Sequence, residues 1–81
     1  MMDELTPEQI AQHYRALGDS VWLVNAVING EIMKGAPAAE KKSTVDRNVA
    51  HLEMMRAKDY WTDEDFTAVD AVIVAGKAYA G

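Results

Sequence analysis

The chain has no cysteine. That one absence excludes a disulfide framework, a thiolate zinc site, a redox dithiol and a cysteine nucleophile. No run of 18 apolar residues occurs either. The most apolar stretch, from Phe66 to Ala80, is interrupted by Asp70 and Lys77, so no membrane span is expected. A basic excess is also missing, with 8 Lys and Arg against 13 Asp and Glu. That balance argues against autonomous nucleic-acid binding, which needs a basic footprint. The start Met1-Met2-Asp3-Glu4-Leu5 is acidic and lacks the basic region and apolar stretch of a secretory leader. A soluble, cytoplasmic protein is therefore expected. Strand signals are lacking as well: no period-two run is flanked by turn residues.

What remains is short and rich in apolar residues. The chain has 81 residues, a net charge of -5 and 49% hydrophobic content, too apolar for an acidic disordered tail. Size scaling gives such a chain roughly 4,800 Å² of folded surface against about 13,000 Å² unfolded. One domain over residues 1–81 is expected, with a thin core and a flexible N-terminus at 1–5. A core that thin would gain from self-association or from a partner.

Caps and spacing predict three helices, an all-α bundle or a helical hairpin plus a third helix. The first is announced by Thr6-Pro7-Glu8-Gln9, a capping box with proline at the first helical position. Ile10, Tyr14, Leu17, Val21, Val24 and Ile28 then follow at alternating spacings of four and three. This stripe keeps its phase through Gly18, which predicts one long helix with a possible kink there. Two stops compete, Asn29-Gly30 and Lys34-Gly35 before Pro37. The second has the basic last turn and the following proline, so the expected span is 7–34. A second helix is expected over 37–58, on the stripe Ala38, Val45, Val49, Leu52 and Met55. A third is expected over 63–79. Thr62 would be its N-cap, Asp65 would complete the box, and Trp61 would staple to Phe66. Asp63, Thr67, Asp70 and Lys77 would form its solvent face.

Charge is segregated along the chain. Residues 1–33 carry Asp3, Glu4, Glu8, Asp19 and Glu31 against Arg15. Residues 34–58 carry Lys34, Lys41, Lys42, Arg47, Arg56 and Lys58 against Glu40, Asp46 and Glu53. Residues 59–81 carry Asp59, Asp63, Glu64, Asp65 and Asp70 against Lys77. An acidic, basic, acidic order lets the middle helix attract both flanks and favours an up-down-up bundle. Each exposed pair contributes only about 0–1 kcal/mol, so orientation is affected more than stability.

Reactive constellations are sparse. His13 and His51 are the only histidines, and neither has a second imidazole one turn away to begin a metal site. The acids at 59–65 lack the spacing and central glycine of a calcium loop. Asp70 has no carboxylate partner one turn away for acid–base work, and Ser20 and Ser43 have no nucleophile-elbow context. No enzyme, cofactor or metal is expected.

The aromatic and methionine residues carry more information. Met54, Met55, Tyr60, Trp61 and Phe66 gather at the junction of the second and third helices, and residues 21–33 are apolar almost all round. Trp22, Val27, Met33, Met54, Tyr60 and Trp61 are the candidate anchors of a partner or oligomer interface, because such side chains concentrate in interface hot spots. The expected function is a small acidic helical interaction module, acting as adaptor, inhibitor or assembly component and self-associating. Phage and mobile-element proteins of this size fill such roles. The alternative is a nucleic-acid or nucleotide accessory protein that meets phosphates through Arg47, His51, Arg56 and Lys58.

Overall fold

A computed structural model describes residues 5–81. It contains three helices: α1 (Pro7–Ile28), α2 (Ala38–Arg56) and α3 (Thr67–Ala78). All three pack on one another, the all-α bundle expected. The expectation of a flexible stretch at 1–5 falls on residues 1–4, outside the described residues; Leu5 is half-buried.

The start of α1 is the one its sequence spells. The Gln9 backbone N–H donates to Thr6 Oγ1 at 3.1 Å, and the Thr6 N–H donates to Gln9 Oε1 at 2.8 Å. The helix continues through Gly18, but it ends at Ile28, not at residue 34. Gly30 turns left-handed at φ +73. Its N–H donates to Val27 O at 3.1 Å, and the Glu31 N–H donates to Ala26 O at 2.8 Å. Those two bonds make a complete Schellman stop, which satisfies the last carbonyls locally. The following turn then folds Ile32 and Met33 back onto the core, and Met33 adopts a left-handed φ of 57 to do so.

The second helix ends two residues earlier than the expected 58, and the third begins four residues later than the expected 63. The expected box at Thr62 does not form. The Thr62 N–H donates instead to Glu64 Oε1 at 2.7 Å, and Asp65 caps forward, accepting from the Thr67 N–H at 2.9 Å and its hydroxyl at 2.7 Å. A tertiary bond accompanies the later start. Tyr14 donates its hydroxyl to the Asp65 carbonyl at 2.7 Å, an oxygen that a helix begun at 63 would aim at the N–H of residue 69 and would have to share. The staple pair still meets, with the Trp61 and Phe66 rings 5.4 Å apart edge to face.

Contacts fix the topology. Tyr14 in the first half of α1 meets the residues that precede α3, and Val24 near the end of α1 lies beside Gly76 near the end of α3. These helices therefore run parallel. Arg56 at the end of α2 pairs with Asp70 at the start of α3, while Lys42 near the start of α2 donates to the Tyr79 carbonyl. The chain runs up, down, up. Leu17, Val24, Val27, Val45, Val49, Leu52, Met55, Val69 and Val72 form the core. Within it Gly76 brings α3 against α2: a Cβ there would overlap Val49 Cγ2 and stand 3.2 Å from Val45 Cγ1. The bundle is slender. Its radius of gyration is 14.0 Å, against roughly 12 Å for a compact chain of this length.

Candidate functional site

The aromatic residues of the 57–66 connection turn inward. Tyr60 and Trp61 are half-buried and meet at a tilt of 59° with centroids 4.7 Å apart, and Tyr14 meets both Trp61 and Phe66 edge to face. Trp61 donates its indole N–H to the Met55 carbonyl at 2.8 Å, which closes the end of α2. Burial pushes the Tyr60 hydroxyl above its ordinary range. His13 adds an edge contact to Tyr60 at 5.9 Å. These rings seal one end of the bundle.

Of the six candidate anchors, only Trp22 and Met54 stand in solvent, at 60% and 54% exposure. Val27 is a core residue at 1% exposure, one turn after buried Val24 on α1; it offers nothing to a partner. Met33 is half-buried in the loop after α1 and is not on a helical face.

The alternative basic face divides in two. Arg47 and His51 lie exposed on α2 near Met54, and Lys58 is exposed just past the end of that helix. Arg56 turns toward α3 instead. Its guanidinium sits 4.1 Å above the Phe66 ring and pairs with Asp70 at 3.1 Å, so cation–π and ionic contacts hold it within the fold. Arg47 donates to Ser43 Oγ at 3.1 Å. Among the described residues no group of three or more His, Asp or Glu side chains is placed to hold a metal ion, and no helix is long and apolar enough to cross a membrane.

Sequence reasoning missed the outer surface of α3. Asp70 and Lys77 are exposed as expected, with side chains 56% and 60% accessible, but they stand at the edge next to α2, paired with Arg56 and Glu53. The row that does point away from the core is Thr67, Ala71, Val74 and Ala78, with Ala68 and Ala75 beside it. All six are exposed, Val74 at 70%, and none carries charge. Between α1 and α3 runs an apolar groove of about 290 Å³ lined by Tyr14, Leu17, Gly18, Val21, Ala68 and Val69, with Arg15 and Asp65 at its edges. Asp65 is held below the usual carboxylate range by the Thr67 hydroxyl and then by the Thr67 backbone N–H. A helix that is apolar on nearly every side is ordinarily covered. Here the outer side is open.

Comparison of the chain with protein-family models, with curated proteins and with solved structures finds no match.

Proposed function

We propose that the protein works by binding other protein surfaces, as an adaptor, inhibitor or assembly component, and not by catalysis. The observation that carries this reading is the uncharged, exposed side of α3, with Val74 at 70%, together with Trp22 at 60% on α1. Exposed apolar side chains scattered singly are ordinary, whereas a large contiguous apolar patch marks an interaction site, and an uncharged row flanking Val74 is where such a patch can extend. The slender core adds support, since 5,229 Å² of surface exceeds the roughly 4,800 Å² usual for this mass. Covering part of it would stabilise the fold.

The test is capture with the full chain immobilised. Wild type is compared with Val74→Glu and Trp22→Ala, both at exposed positions where the fold tolerates polarity or truncation. The reading expects stoichiometric retention of a protein, another chain or its own, that at least one of the two variants loses. Retention indifferent to both variants, or none at all, refutes it.

A further inference from the structure

The row one residue out from the core stripe of α1 repeats its four-and-three spacing: Ala11, Arg15, Gly18, Trp22, Asn25 and Asn29, every one exposed. At its middle a projection stands next to a hollow. Trp22 is 60% exposed. Gly18 lies one turn before it, about 6 Å along the axis, and no atom lies within 4 Å of the place its Cβ would take. Gly18 also lines the groove between α1 and α3. Glycine inside a helix costs about 1 kcal/mol relative to alanine, and nothing within the single chain requires it here. Something outside the chain is the better reason for the missing side chain.

We propose that this face pairs with the same face of a second copy, α1 against α1 in antiparallel register, each Trp22 seated in the other copy's Gly18 groove. The inference rests on the interaction reading above and names its partner. A projection and a hollow side by side on one face are self-complementary under a two-fold axis, the commonest symmetry of soluble oligomers. An axis level with Ser20 sets Trp22 opposite Gly18, Arg15 opposite Asn25 and Ala11 opposite Asn29. The charges agree with that register. Two copies of a chain with net charge -5 repel wherever their acids meet, yet this row carries one charged side chain, Arg15, and the register sets it against an amide oxygen that can accept its N–H. Glu8 and Asp19 lie on the next row outward. Because α1 and α3 are parallel neighbours, the same axis brings α3 over α3 with only Ala68, Ala71 and Ala75 between, small enough for close approach. Size permits it too. The molecule's two longer extents, 45 and 23 Å, bound any one face at roughly 1,000 Å², so an interface of about 800 Å² per partner would take most of a face.

The experiment is molar mass of the full chain by light scattering across a concentration series, at low and high salt. Wild type should move from 8.9 kDa to twice that as concentration rises, with little salt dependence. Trp22→Ala and Gly18→Leu should each weaken dimerisation on the order of tenfold or more, as loss of a central anchor does. Thermal melting of dilute Gly18→Leu, equal to or above that of wild type, separates loss of the contact from loss of the fold. A monomer at every concentration overturns the inference while leaving the capture test above to judge the broader reading. A dimer that Gly18→Leu leaves intact, or one that salt dissociates, overturns it by placing the contact on another face, and the broader reading then stands.

Discussion

Two glycines in helix interiors provide a matched test of the packing described here. Replacing either with alanine gains the same helix propensity, about 1 kcal/mol. At Gly18 the new methyl meets nothing within 4 Å, so Gly18→Ala should stabilise the dilute monomer by up to about 1 kcal/mol. At Gly76 the methyl overlaps Val49 Cγ2 and crowds Val45 Cγ1. Val49 cannot easily turn away, because a valine within a helix is nearly confined to one rotamer and this one is only 4% exposed. Overpacking of that kind costs about 1–3 kcal/mol, leaving Gly76→Ala destabilised by about 1 kcal/mol net. The two variants should therefore separate by roughly 2 kcal/mol, or on the order of 10 °C in melting temperature for a domain of this size. Urea and thermal unfolding, followed by circular dichroism at a concentration where light scattering gives 8.9 kDa, measure the difference directly. Equal stabilisation by both substitutions would refute the seating of α3 on Val45 and Val49.

Three further outcomes are expected. Gly30→Ala should cost about 1–2 kcal/mol, because φ is +73 there and a Cβ is penalised in the left-handed region; Gly35→Ala, which meets nothing within 4 Å, is the neutral comparison in the same urea titration. The Asp65 carboxyl is lowered by its Thr67 hydrogen bonds, so its contribution is complete above the unfolded carboxylate range and is lost as pH falls through the lower folded value; unfolding measured from pH 6 to pH 2 should show that loss in wild type, and an identical acid limb in Asp65→Asn would count against it. Tyr14→Phe removes the bond to the Asp65 carbonyl while keeping the ring, at about 0.5–1.5 kcal/mol; carbon chemical shifts at residues 63–66 should move toward helical values, and unchanged shifts would discard the account of where α3 begins.

Local chemistry was legible where nothing remote competed with it. The capping box at Thr6 and Gln9 forms as its residues dictate, and the four-three stripe from Ile10 to Ile28 identifies the buried side of α1, including Leu17 and Val24. Both misplaced boundaries have tertiary contacts beside them. At the end of α1 the two candidate stops were each chemically sound, and the earlier one prevails where Ile32 and Met33 turn back to cover apolar surface. At the start of α3 a good local box gives way beside a hydroxyl supplied by Tyr14, 51 residues away in sequence.

Net charge per segment is too coarse to place ion pairs. Segment totals predicted that the basic middle would attract both acidic flanks. Among the described residues one interhelical pair follows that rule, Arg56 with Asp70, and one has the reverse polarity, Lys77 with Glu53; none joins α1 to α2. The reason is angular. Glu8, Arg15 and Asp19 stand on rows of α1 that face away from the core, so their net charge cannot reach α2 at pairing distance. The same geometry makes the exposed side of α3 readable after all. Asp70 and Lys77 are seven residues apart, two helical turns, which sets both on one flank. They are the only charged residues of this 12-residue helix, so its remaining rows carry no charge. In a short helix the row that charged residues share decides which surface is left for a partner, and their number does not.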